Sequence, residues 1–135
     1  MDLKTVLTTC TYCGCGCNFY LEVLDGRVID TIPCKTSPVN EGKLCIKGWN
    51  VHEFVQSEKR LTRPMIRKNG TLEEVSWDEA LDYTVSRLQE IKKDSGADSI
   101  GFLTSAKVTN EENYLLQKFS RAGVGTNNVD HCARL

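Results

Sequence analysis

The sequence predicts a chain of mixed α+β and α/β character: a small β-rich segment followed by the incomplete start of an α/β domain. Three observations carry this. Six of the seven cysteines fall within the first 60 residues, among strand-and-turn patterns. From residue 76 onward apolar residues recur at helical spacing. The order there is helix, short apolar run, helix, which is how a βα-type fold opens. A boundary near residue 60 follows, with one domain over 1–60 and a second, truncated one over 61–135.

The elements follow from local chemistry. Phe19, Leu21 and Val23 alternate with Tyr20 and Glu22, the period of a strand. Asp25-Gly26 tolerates positive φ at both positions and predicts a two-residue hairpin turn, with Val28 to Ile32 as the return strand. Asn69-Gly70 predicts a second hairpin between "RPMIRK" and "TLEEVS". Ser76 and Glu79 form a capping box ahead of a helix whose apolar face is Leu81, Val85, Leu88 and Ile91. Lys92 and Lys93 suit its C-terminal dipole, and Gly96 ends it. "SIGFLTS", residues 99–105, has the composition of a buried parallel strand. Thr109 and Glu112 box a last helix with Leu115, Phe119 and Ala122 on one face and Gly123 at its end. One such strand and two helices cannot cover their own apolar faces, so self-association is expected of the isolated chain.

Composition excludes several classes. Hydrophobic residues are 40%, charged residues 26% and net charge −1, which gives no bulk attraction for nucleic acid or an anionic membrane. No apolar run reaches the roughly 18 residues that span a bilayer. The start, "MDLKTVLTTC", lacks a positive n-region and a twin arginine, so a cytoplasmic location is expected. That compartment keeps thiols reduced, and seven is an odd count, so a disulfide framework is disfavoured.

Metal explains the cysteines better. Cys10, Cys13 and Cys17 form C-x2-C-x3-C, and Cys45 follows in "GKLCIKGW". A tight triplet with a distant fourth thiolate suits a 4Fe–4S cube. Gly14 and Gly16 let the loop curl and aim backbone N–H groups at the sulfides. The rival is structural zinc, which usually shows two matched C-x2-C knuckles; only Cys45, with Cys34 eleven positions before it, is available for a second. Cys15 is expected to point away from the cube, and Cys34 to pack near the loop. Lys47, two residues after Cys45, would set an ammonium beside the cluster, with Trp49 and Phe54 excluding water.

The blocks "CTYCGCGC", "GKLCIKGW", "RLTRPMIRKNG", "EVSWDEAL" and "TNEENYLLQKFSRAGVGTNNVDHCAR" run in order through almost the whole chain. Together they resemble the N-terminal part of the molybdopterin-dependent formate dehydrogenase catalytic (alpha) subunit. Related molybdopterin oxidoreductases such as nitrate reductases share the first blocks. The resemblance implies a 4Fe–4S domain followed by the start of a molybdopterin-binding domain. It implies Cys10, Cys13, Cys17 and Cys45 as cluster ligands. Lys47 would lie between the cluster and one of two pterin guanine dinucleotides that hold molybdenum or tungsten, the bis-molybdopterin guanine dinucleotide cofactor. Formate would be oxidised to carbon dioxide and electrons passed to a partner subunit or carrier. Ser105 to Asn110 would approach the pterin, with Lys107 as a contact; its family counterpart is often arginine, whose bidentate geometry lysine does not reproduce.

In the family, "CAR" and one apolar residue lead into the metal ligand, a cysteine or selenocysteine usually followed by histidine. The chain stops at "CARL", so an in-frame UGA after Leu135 is the expectation, the rival being a deliberately shortened chain. On that expectation the 135 residues alone would not oxidise formate. His131 and Cys132 are expected to serve packing. The alternative to an enzyme segment is a stand-alone 4Fe–4S electron-transfer module.

Overall fold

The computed structural model describes residues 1–132. It falls into two compact units, one of residues 1–60 with 105–113, the other of residues 61–104 with 114–132.

The first unit is built on an antiparallel sheet of β1 (Leu3–Thr9), β2 (Asn18–Leu24) and β3 (Arg27–Pro33), in that order. Asp25 (φ 47°) and Gly26 (φ 81°) make the expected turn between β2 and β3. β1 was not signalled by the sequence: "LKTVLTT" is an exposed edge, and its register, Thr9 opposite Asn18, comes from its partner. Two short helices follow, α1 (Ile46–Trp49) and α2 (Val51–Val55). α2 packs on β3, where Thr31 Oγ1 and His52 Nδ1 lie 3.1 Å apart. The core is Phe19, Cys10 and Val51, with Tyr12, Cys17, Leu21 and Leu44 against it. Phe19 and Leu21 reach it from one face of β2, as the period-2 pattern requires.

The second unit opens with the hairpin of β4 (Met65–Lys68) and β5 (Thr71–Glu74), turning through Asn69 (φ 49°) and Gly70 (φ 87°). α3 (Trp77–Ser95) starts at Ser76, whose hydroxyl accepts the Glu79 N–H at 3.1 Å. The reciprocal half of that box is absent because Glu79 Oε1 takes Lys68 Nζ at 2.6 Å. Gly96 (φ 83°) ends the helix. β6 (Phe102–Ser105) is shorter than the expected strand, and Leu103 is 82% exposed, so it is not a buried strand among the described residues. It pairs with β7 (Val129–Cys132). Phe102 meets the Asn128 carbonyl and Thr104 the Asp130 carbonyl, a parallel sense.

α4 (Asn110–Lys118) lies between those strands. It runs into a π-helical turn, Phe119–Val124, that Gly125 (φ 90°) terminates. The sequence placed the stop at Gly123. Instead Gly123 lies within the turn, and a Cβ there would meet the Phe119 ring at 3.0 Å. The expected apolar faces stay uncovered: Leu81, Val85, Leu115 and Phe119 are all exposed.

Candidate metal centre

The cysteine loop is the connection between β1 and β2. The Cys10 N–H donates to the Cys17 carbonyl at 2.7 Å, so the first and third cysteines of the triplet stand side by side at the loop base. Gly16 (φ 70°) occupies the left-handed region that lets the loop close.

Cys45 arrives by a different route, and buried Asn40 fixes it. Asn40 Oδ1 accepts the Asn18 N–H at 2.9 Å, while its Nδ2 donates to the carbonyls of Asn18 (3.1 Å) and Lys43 (2.9 Å). One carboxamide thus joins the residue after Cys17 to the chain entering Cys45. Ser37 supports the clamp by donating to Asn18 Oδ1 at 3.0 Å.

The thiols converge. Partial burial, then the neighbouring thiols of Cys10, Cys13 and Cys45, push the Cys17 thiol above its ordinary range. Cys45 shifts the opposite way. The Gly48 backbone N–H lowers it most, and the N–H and ammonium of Lys47 add to that, against some desolvation. Cys45 is the N-cap of α1, although no hydrogen bond of regular capping geometry forms there. Among the described residues no three His, Cys, Asp or Glu side chains are gathered tightly enough for a single metal ion. The charges of Cys10, Cys13 and Cys45 all bear on Cys17.

Lys47 is exposed, with Nζ 5.7 Å from the Tyr12 ring centroid. Tyr12 meets Phe54 edge to face at 5.8 Å. Phe54 and Trp49 are 36% and 41% exposed, so neither forms a closed water barrier in this chain. Cys15 is exposed; hydrogen bonding with the Cys13 thiol raises its pKa most, and the charges of Cys13 and Cys17 add to that. Cys34 is buried with Thr36 (Sγ to Oγ1 3.5 Å) and Tyr20, whose position on β2 faces away from Phe19. Cys34 is absent from the charges acting on Cys17.

Residues 105–110 link β6 to α4. Thr109 and Glu112 form both halves of their box: the Glu112 N–H donates to Thr109 Oγ1 at 3.2 Å, and the Thr109 N–H to Glu112 Oε2 at 2.7 Å. Those bonds hold the Glu112 carboxyl below its ordinary range. Lys107 is exposed, its N–H on Ser105 Oγ at 3.0 Å. His131 and Cys132 lie on β7, exposed in this chain. The expectation about Leu135 lies outside the described residues.

A β-hairpin head that gathers four thiols, followed by a strand–helix–strand segment, defines an iron–sulfur head joined to a cofactor-binding α/β segment. Family comparison matches the Fe4S4 domain of molybdopterin oxidoreductases to residues 3–57 and the molybdopterin oxidoreductase domain to residues 60–135. The chain belongs to the molybdopterin oxidoreductase family, whose domains carry a 4Fe–4S cluster and molybdopterin. It is 53% identical, over 99% of its length, to the F420-dependent formate dehydrogenase 2 subunit alpha of Methanococcus maripaludis. It is 50% identical, over 100% of its length, to the F420-dependent formate dehydrogenase subunit alpha of Methanocaldococcus jannaschii. The chain spans 19% of the length of each of these relatives. The solved acetylene hydratase of Pelobacter acetylenicus has the same fold over 93% of this chain and 18% of its own, with TM-score 0.69 and 25% identity. No helix among the described residues is long and apolar enough to cross a membrane.

Sequence reasoning missed Asn18, Asn40 and Asn110. Their partners are distant in the chain, and nothing in an isolated asparagine marks it as a clamp.

Proposed function

We propose that residues 1–60 hold a 4Fe–4S cluster through Cys10, Cys13, Cys17 and Cys45. Residues 61–135 begin the molybdopterin domain, and the whole is the cluster-bearing part of a formate dehydrogenase catalytic subunit. The observation that carries this is geometric: the Cys10 N–H on the Cys17 carbonyl closes the loop, and Asn40 ties its far side to the chain entering Cys45. Cationic iron would hold such neighbouring cysteines together as thiolates. Formate is the substrate we assign, because relatives bearing that name match nearly the whole chain.

When bound, the cluster supplies a one-electron relay, and molybdenum or tungsten on a bis-molybdopterin guanine dinucleotide supplies the two-electron oxidation of formate to carbon dioxide. The chain's own residues set the surroundings. Gly48 and Lys47 favour the thiolate of Cys45. Lys47 keeps a positive charge beside that thiolate, on the electron path we propose, with the Tyr12 face limiting its swing. Lys107 offers a point charge to the pterin phosphates. A cytoplasmic location suits so many thiols, and the electrons pass to a partner subunit or carrier.

Anaerobic reconstitution with iron and sulfide tests the ligand set. About four irons and four sulfides per chain are expected, lost on Cys→Ser change at any of the four positions and kept in Cys15→Ser and Cys34→Ser. Zinc uptake without iron would sink the proposal. In the full-length subunit, Lys47→Ala should slow cluster reduction by formate at unchanged iron content. A wild-type rate would remove Lys47 from the path.

A further inference from the structure

Ninety-six positions separate Gly14 from Asn110, yet Asn110 Nδ2 donates to the Gly14 carbonyl at 3.0 Å. Gly14 stands between Cys13 and Cys15 in the cysteine loop. Asn110 is the first residue of α4, and the loop ahead of it is stiff. Thr109 and Glu112 bond reciprocally, and Asn113 Nδ2 donates to the Ser105 carbonyl at 3.2 Å. The fit at Gly14 is equally specific. A Cβ there would run into Asn110 Oδ1 and meet Cγ at 3.0 Å and Nδ2 at 3.3 Å. An added Cβ at Gly14 would therefore displace the carboxamide from its bond, and no positive φ at Gly14 supplies another need for glycine.

We propose that Asn110 is a positioning residue for the cluster loop, holding the backbone at Cys13-Gly14-Cys15 and coupling the cluster to the 105–113 loop. This rests on the four-cysteine ligation proposed above. By holding the Gly14 carbonyl, the carboxamide would restrict how the neighbouring backbone N–H groups could turn toward a bound cluster. Hydrogen bonds to the sulfurs are among the levers that set a cluster's reduction potential. A ligand that shifts residues 105–113 would then be felt at the cluster without touching it.

The experiment uses the reconstituted 135-residue chain as wild type, Asn110→Ala, Asn110→Asp, Gly14→Ala and the Asn110→Ala/Gly14→Ala double variant. Asn110→Asp keeps the shape and, ionised, loses the donor. Readouts are iron release to a chelator and the midpoint potential followed by EPR. Expected are four-iron clusters throughout, with release about two- to tenfold faster in Asn110→Ala, the rate equivalent of one net hydrogen bond. A shifted potential and no rescue by Asn110→Asp are expected too. Gly14→Ala should harm the cluster with Asn110 present and do nothing further once it is absent. Wild-type release and potential in Asn110→Ala, or equal harm from Gly14→Ala in both backgrounds, would overturn the proposal and leave the ligand set standing. A wild-type chain that takes up no iron would overturn both.

Discussion

Asn40→Ala removes the carboxamide that joins Asn18 to Lys43. Three hydrogen bonds go at once: one accepted from Asn18 N–H and two donated to the carbonyls of Asn18 and Lys43. Each is worth roughly 0.5–1.5 kcal/mol net. Asn40 is buried, so its former partners gain little water in exchange. The loss should therefore fall at about 2–4 kcal/mol. Asn40→Asp separates the components: it keeps the acceptor for Asn18 N–H and turns two donors into acceptors that face carbonyls. It should be at least as damaging near neutral pH and recover partly as the carboxyl protonates in acid. Urea denaturation of the metal-free chain, followed by Trp49 fluorescence, gives the number, and chelator-driven iron release shows whether Cys45 has come loose. A loss below about 1 kcal/mol, within the range of an ordinary surface change, would refute the clamp. So would unchanged iron release.

Three further outcomes follow. Phe19→Ala, at a position 1% exposed in the core with Cys10 and Val51, should cost about 3–5 kcal/mol in the same titration; a loss under about 1 kcal/mol would mean the core lies elsewhere. In the metal-free chain iodoacetamide should label Cys45 before Cys17, because Cys45 is lowered and Cys17 raised; equal labelling by peptide mapping would contradict the electrostatics. Glu112 has a folded pKa below its ordinary value, so its charged form favours the fold. Its contribution is complete above the unfolded pKa of about 4.3 and disappears as pH falls through the lower folded value. Glu112→Gln should flatten that acid limb, and identical acid profiles for the two chains would count against the box.

Legibility followed range. Asp25-Gly26, Asn69-Gly70 and the Thr109–Glu112 box were readable because each is settled within four residues, by positive φ or by a side chain reaching its own helix end. β1 was not, since "LKTVLTT" is an exposed edge whose pairing is dictated by residues 18–24. Gly123 misled because two glycines stand near the helix end; the π-helical turn shifts the stop to Gly125, where Ser120 O accepts the Gly125 N–H at 2.8 Å. The strand at 102–105 was right in kind and wrong in burial, because composition does not reveal what covers a strand. Asn40 and Asn110 act across 22 and 96 positions, a distance no local pattern encodes.

The Asn40 clamp also bears on the order in which a metal site assembles. Cys17 and Cys45 are 28 positions apart, and bringing such ends together has an entropy that grows with the logarithm of the span. In the folded chain Asn40 has already joined the far side to Asn18, and Cys45 lies five positions beyond it. The search left to the fourth thiol is that of a short tether, a saving of about 1.5 kcal/mol by the same logarithm. On the proposed ligand set, folding would leave only the few residues beyond Asn40 to be organised by the metal.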